Sequence, residues 1–286
     1  MTVLYFLFIG AVVYLLLTLY FTYLVQRIPR KPVKDPPDWG RVLDTRIPAV
    51  DGGSLEVWLV EPEGPSRGIV LFVHGWGRNR DRMVYRARIF GKMGFTTVMH
   101  SARDHGNSTS YPFMNALRFA EDVETVLEWL GEPALLYGHS IGAVGALIAA
   151  HRHPGRVRLL FLEGCYARTK EALRSLYLSY NRLFGLFFAP MVILWMDTFY
   201  RFRMDEVSPV RLAPDLDLPV LVIHGEEDRS FPLHHAWRLR DSFPAGRAEL
   251  YVAKGADHSS SSLSPQYPTV IRSFLERHLG EGGLVP

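Results

Sequence analysis

The sequence predicts an α/β chain: a mainly parallel, eight-stranded sheet with helices on both faces and a helical cap, preceded by one transmembrane helix. Three observations lead there. From Gly68 onward, short apolar runs alternate with amphipathic stretches of helical length. A serine between two glycines, Gly138-His139-Ser140-Ile141-Gly142, stands where one apolar run meets an alanine-rich segment. Val3 to Val25 is an uncharged run of 23 residues.

Taken in order, that first run holds only glycine, threonine and tyrosine among strongly apolar side chains. As a helix it reaches about 35 Å, enough to cross a hydrocarbon core of about 30 Å. It is long for the apolar core of a signal peptide, begins without basic residues and lacks a small-x-small cleavage site near its end. Tyr20 and Tyr23 suit an interfacial belt, and Arg27, Arg30, Lys31 and Lys34 follow at once, which by the positive-inside rule favours a cytoplasmic domain. We therefore expect a single-pass membrane anchor over residues 1–27, with membrane contact through 3–25. Pro29, Pro32, Pro36 and Pro37 then mark a stiff, non-helical linker, residues 28–38, that holds a domain of residues 39–286 off the bilayer.

Within that domain, Arg41 to Val50 and Leu55 to Glu61, joined by Asp51-Gly52-Gly53, read as an antiparallel hairpin at a sheet edge. Expected strands follow at Gly68 to Val73, Phe95 to Met99, Ala134 to Tyr137, Val157 to Leu162, Pro219 to Ile223 and Ala248 to Val252. Expected helices lie at Asp81 to Met93, Ala116 to Leu130, Ile141 to His151, Leu233 to Ser242 and Pro268 to His278. About residues 166–214 no sheet strand is visible, and an apolar insertion after a core strand reads as a helical cap over a site. Ordinary core helices and a second membrane-embedded stretch are the alternatives; Pro190 and the flanking charges speak against a span.

Composition narrows the function classes. At 286 residues and a net charge of +3 with dispersed charges, the chain carries no nucleic-acid footprint. A single cysteine, Cys165, excludes an internal disulfide and a CxxC site, and reads as a packed thiol. No HExxH or similar run argues for a metal, so neither a metal nor a cofactor is expected. His151 with His153, and His234 with His235, read as solvated; His74 and His224, each ending a strand, read as structural.

Ser140 between Gly138 and Gly142 reads as a nucleophile elbow, because glycine on either side permits a sharp turn and a closely packed helix. A serine hydroxyl needs a base within hydrogen-bond reach, itself oriented by a carboxylate. Asp228 follows the strand Pro219 to Ile223, and His258 follows the strand Ala248 to Val252. All three therefore emerge at the C-terminal edge of a parallel sheet, where open α/β sheets bind ligands. Glu163, after Val157 to Leu162, is an alternative acid; Asp257 beside His258 reads as surface, and His139 as packed against the sheet.

These motifs, with His74-Gly75-Trp76-Gly77 after the first parallel strand, resemble the α/β-hydrolase superfamily, specifically its serine esterase and monoacylglycerol-lipase-like branch, from Trp39 to the C-terminus. The resemblance implies an α/β-hydrolase fold, a catalytic triad of Ser140, Asp228 and His258, and backbone N–H donors to an oxyanion at Trp76 and Ile141. Its G-x-x-D spacing places the acid at Asp228 rather than Glu226 or Glu227. Ala102 to Ser108 resembles the family's R-x-H-G-x-S turn, which implies a structural His105. The elbow serine argues against dehalogenation and epoxide opening, which use an aspartate there. We expect hydrolysis of a carboxylic ester through an acyl-enzyme, with a lipid-like substrate such as a monoacylglycerol, lysophospholipid or phospholipid, since anchor and apolar cap both favour lipid. A general carboxylesterase or thioesterase, an acyltransferase and a noncatalytic binding protein are the rival readings, and the anchor or cap offers a surface for a homodimer.

Overall fold

The computed structural model describes residues 1–27 and 30–279; Pro29 of the expected linker and the domain's last residues lie outside these. The chain opens with α1 (Thr2–Val25), then β1 (Arg41–Pro48) and β2 (Ser54–Glu61). Next come β3 (Ile69–Val73), α2 (Val84–Lys92), β4 (Thr96–His100), α3 (Ala116–Leu130), β5 (Ala134–His139), α4 (Ile141–Arg152) and β6 (Val157–Glu163). The insertion holds α5 (Thr169–Tyr180), α6 (Arg182–Phe187), α7 (Ala189–Phe199) and the short α8 (Pro209–Leu212). Finally β7 (Val220–Gly225), α9 (His234–Arg240), β8 (Ala248–Ala253) and α10 (Tyr267–Leu279) complete the alternation.

The eight strands form one sheet in the order β1-β2-β4-β3-β5-β6-β7-β8. β1 and β2 pair antiparallel at one edge, β2 pairs antiparallel with β4, and every other pair is parallel. From β3 the chain moves outward to β4 and returns to β5 on the other side, so the loops after β3 and β5 diverge. That divergence opens a crevice at the C-terminal ends of these strands.

The central strands are buried on both faces, and their alternate side chains feed two separate cores. Leu71, Leu136, Leu160 and Val222 point into the layer roofed by α3 and α4. Phe72, Tyr137, Phe161 and Ile223 point into the layer roofed by α2 and α10. In the second layer Phe72 stacks on Tyr137 at 5.4 Å and Tyr137 on Phe161 at 5.6 Å, an aromatic ladder across three strands. Each such ring removes its area from water at about 25 cal/mol per Å2.

Three local expectations are corrected. The helix expected from Asp81 begins as a 3-10 turn, Arg80–Met83, because Asn79 Oδ1 accepts the Asp81 N–H at 2.9 Å and tightens the entry. His235 is buried rather than solvated. The proline-rich stretch is strapped to the domain rather than standing it off: Arg30 donates to Ser108 O at 2.8 Å, Asn79 Nδ2 to Lys31 O at 3.0 Å, and the Lys34 N–H to Asp81 at 3.0 Å. Proline-rich backbone makes no hydrogen bonds of its own, so its carbonyls remain open to the domain's side chains.

α1 is long and apolar enough to cross a membrane, with a mean hydropathy of 2.4 over its most apolar window, and nearly all of it stands free of the rest of the protein. Its exception is a stripe at Thr18 and Thr22, buried beside α7. Phe21 and Val25 of α1 join a small cluster built on Tyr177, Ala189 and Val192 of the insertion.

Candidate active site

β5 delivers Ser140 at the centre of the crevice, with φ 57° and ψ −126°, a conformation that non-glycine residues seldom adopt. Such a backbone costs about 1–3 kcal/mol and must be held by its surroundings. Two glycines hold it here. A Cβ on Gly138 would overlap the backbone of Ala143 in the first turn of α4, and one on Gly142 would overlap the carbonyl oxygens of Val73 and His74 at the end of β3. The Ser140 N–H is fixed by Glu163 O at 2.8 Å.

Three elements then converge. Ser140 Oγ lies 3.0 Å from His258 Nε2, on the loop after β8. His258 Nδ1 lies 2.7 Å from Asp228 Oδ2, on the loop after β7. The other oxygen of Asp228 accepts the N–H groups of Ser230 and Phe231, both at 2.9 Å. With its carboxylate so anchored, Asp228 holds the proton of His258 on Nδ1 and leaves Nε2 free to accept from Ser140. Phe231 meets the His258 ring edge to face at 5.0 Å.

Sequence reasoning did not foresee what supports the His258 loop. His139 Nε2 donates to His258 O at 2.9 Å, while burial drives its pKa down to about 3, so the ring is neutral and its N–H available. Arg82 reaches Ser259 O at 2.9 Å. Beneath them Arg86 grips both oxygens of Glu163 through Nε and Nη2, and Tyr137 donates to the same carboxylate at 2.7 Å. Desolvation alone would raise the Glu163 pKa, but the Arg86 charge and hydrogen bonds outweigh it and set it at about 2. The rival acid is thus a buried anion committed to an arginine.

Trp76 follows Gly75, where an added Cβ would come within 3.1 Å of Ser140 Cβ, so the two loops expected to donate N–H groups are neighbours. Ile141 is the first residue of α4, where the N–H precedes the helical hydrogen-bond ladder. His74, His105 and His224 have structural partners instead. His74 Nδ1 donates to Gly75 O at 2.8 Å, and its Nε2 accepts from the Ala102 N–H at 2.9 Å. His105 accepts the Gly77 N–H at 3.2 Å, and His224 donates to Phe231 O at 2.7 Å. Asp257 is exposed and caps Ser259, and Cys165 is buried with its thiol pKa pushed up by desolvation.

One cluster outside the crevice, Glu171 with His234 and His235, brings three potential ligand atoms within 4.8 Å of one another. Its donors are engaged otherwise. His235 Nδ1 accepts the Ala167 N–H at 3.2 Å, which leaves the proton on Nε2, and Glu171 binds Arg238 at 2.6 Å. A protonated nitrogen and a neutralised carboxylate make a poor cation site.

A serine at a strained strand-to-helix turn, on an eight-stranded sheet of this order, defines a serine hydrolase of the α/β-hydrolase fold. Residues 64–207 match the Hydrolase_4 family, serine aminopeptidase S33, and the chain belongs to that family. Among curated relatives it is 25% identical over 239 residues to the protein YqkD of Bacillus subtilis, covering 80% of this chain and 78% of that one. It is 23% identical over 263 residues to a monoacylglycerol lipase of Mycolicibacterium smegmatis (78% of this chain, 92% of that one). It is 22% identical over 249 residues to the lysophosphatidylserine lipase ABHD12 of Mus musculus (78% and 59%). Among solved structures, the Pyrococcus furiosus esterase Pf2001 superposes with a TM-score of 0.68 at 16% identity, covering 88% of this chain and 99% of that one.

Proposed function

We propose that this protein is a membrane-anchored serine esterase that hydrolyses lipid-like carboxylic esters, with Ser140 as nucleophile, His258 as general base and acid, and Asp228 as the group that orients the imidazole. The observation that carries this is the continuous hydrogen-bonded chain from Ser140 Oγ through His258 to Asp228, 3.0 and 2.7 Å, at a turn whose strain only its neighbours sustain.

His258 Nε2 takes the proton of Ser140 as Oγ attacks the ester carbonyl. The resulting alkoxide is stabilised by the N–H groups of Trp76 and Ile141, a contribution on the order of 3–4 kcal/mol for one such donor. His258 then hands its proton to the leaving alcohol, which departs and leaves an acyl group on Ser140. A water molecule, deprotonated by the same imidazole, attacks that acyl-enzyme; the acid leaves and Ser140 regains its proton. Asp228, buried and doubly bonded to backbone N–H groups, stabilises the imidazolium at both stages.

A lipid-like substrate is supported by α1, which tethers the site to the bilayer, by the apolar insertion as a cap, and by relatives named as a monoacylglycerol lipase and a lysophosphatidylserine lipase. The basic residues that follow α1 favour a cytoplasmic domain. Ser140→Ala should lower hydrolysis of p-nitrophenyl esters by at least about 10^3-fold with the circular-dichroism spectrum unchanged; undiminished turnover would refute the mechanism. A series of esters from butyrate to oleate, with monoacylglycerol and lysophospholipid beside an amino-acyl p-nitroanilide, reads the substrate class. Preference for the long-chain glycerolipids is expected, and preference for the anilide would move the assignment to a peptidase.

A further inference from the structure

Resting on the reading of α1 as a membrane helix, we infer that the cap is itself seated in the bilayer: α6 and α7 lie among the acyl chains beside α1, and bilayer lipid is what covers their exposed apolar face.

The first argument is depth. Tyr14 of α1 donates to Phe187 O at 2.7 Å and stacks on Phe188, and Trp195 Nε1 of α7 donates to Thr18 Oγ1 at 3.1 Å. Thr18 lies seven residues and Tyr14 eleven residues before the end of α1 at Val25. At about 1.5 Å per residue these contacts sit roughly 10 and 16 Å inside the apolar segment, measured along its axis. Half of a hydrocarbon core is about 15 Å. A cap surrounded by water cannot reach α1 at such positions while α1 occupies the bilayer.

The second argument is chemical. Between Leu183 and Tyr200 no exposed side chain is charged, and Leu183, Phe187, Leu194 and Phe199 are 67%, 62%, 48% and 62% exposed. The charged group of this stretch, Asp197, is buried and paired with Lys170. The hydroxyls and ring nitrogens there are bonded inside the protein: Thr18 to Leu15 O, Thr22 to Thr18 O, Thr198 to Leu194 O and Trp195 to Thr18. Satisfying every such donor without water is what a hydrocarbon solvent demands and an aqueous one does not. Arginines bracket the stretch at Arg182 and Arg201, both exposed, where long cationic side chains reach phosphate headgroups.

In this seating the cap meets the acyl layer directly, and a lipid ester moves from the bilayer toward Ser140 without passing through bulk water. The cap's contacts run to the rim: Tyr166, at its entry, packs on Phe231, which in turn packs on His258.

The test uses the full chain in phosphatidylcholine vesicles, labelled with an environment-sensitive fluorophore at Leu194→Cys or, as control, at Glu132→Cys on the opposite edge of the domain; buried Cys165 stays unlabelled. At position 194 we expect blue-shifted emission, quenched at least about threefold more by lipids brominated on the acyl chain than by aqueous iodide, and the reverse at position 132. Iodide quenching and water-like emission at 194 would overturn the seating. So would self-quenching at 194 that persists as protein is diluted in lipid, which would assign the face to a second copy of the chain. As a functional arm, Phe187→Glu with Leu194→Glu should lower kcat/KM for vesicle-borne monoacylglycerol at least tenfold while p-nitrophenyl butyrate turnover changes less than twofold; equal effects on both would overturn it. Loss of the fluorescence pattern with Ser140-dependent turnover intact rejects the seating alone. Ser140-independent turnover instead rejects the mechanism, and alkaline extraction of the chain from vesicles rejects α1 as an anchor.

Discussion

The neighbouring strands β6 and β7 each end in a buried carboxylate near a histidine, yet the two acids have opposite employments. Glu163, at the end of β6, is held by Arg86 and Tyr137. Asp228, just past β7, meets backbone N–H groups and His258, with no arginine against it among the described residues. Place on the sheet rim therefore does not decide which carboxylate serves an imidazole. The counter-charge does: a guanidinium already neutralises Glu163, whereas peptide dipoles support Asp228 and leave its charge for the proton on His258.

Exchanging the roles of the two acids is the sharpest way to break this contrast. Asp228→Asn should lower esterase kcat by about 10^3–10^4-fold, because an amide no longer enforces the tautomer of His258, with little change in thermal stability. Steady-state kinetics and a melting curve on the same sample check it. Glu163→Gln should act the other way, leaving Arg86 buried without its anion and costing about 3–5 kcal/mol in urea unfolding, with the surviving folded protein still active. A collapse of kcat in a fully stable Glu163→Gln variant would reverse the assignment.

A smaller effect separates the groups by pH. The buried histidines His139, His100 and His235 have folded pKa values lowered to about 3, 4 and 4, below the ordinary 6.5. The unfolded chain binds protons that the folded one refuses, so their stabilisation is complete above 6.5 and is lost as pH falls toward 4 and then 3. Glu163, depressed to about 2 from 4.5, contributes stability above 4.5 that is lost as pH falls through 2. Unfolding free energy should thus decline in two limbs, and Glu163→Gln should flatten the lower one. Because the Glu163 charge holds the His139 pKa up, the same substitution should lower that pKa further and extend the upper limb to lower pH. An unchanged lower limb in that variant would show that the Arg86 pair does not set the acid sensitivity.

Much of this was legible in the residues. Each strand of the parallel sheet is a short apolar run because it is buried on both faces, and α3 was bounded to the residue because Asn115 caps its start and Gly131, at φ 76°, ends it. The elbow was legible because only glycine fits where Gly138 and Gly142 touch neighbouring backbone. Motif spacing favours Asp228 over Glu226 and Glu227 but leaves Glu163 open as an alternative; the arginine that engages Glu163 is not legible locally, since Arg86 is 77 residues away. His235 reads as one of a solvated pair, and it is buried because the chain leading into the insertion sets the Ala167 N–H on its ring.

By itself the sequence determined the layers, the elbow and the apolar character of α1, since each is written in local periodicity, glycine placement or uninterrupted apolar length. Tertiary structure alone decided that Arg86 engages Glu163, that the proline-rich strap lies against the domain, and that α1 packs on the helices of the insertion. Those outcomes depend on partners brought together from distant parts of the chain, as Trp195 and Thr18 are from 177 residues apart, and no local pattern encodes which distant side chain will arrive.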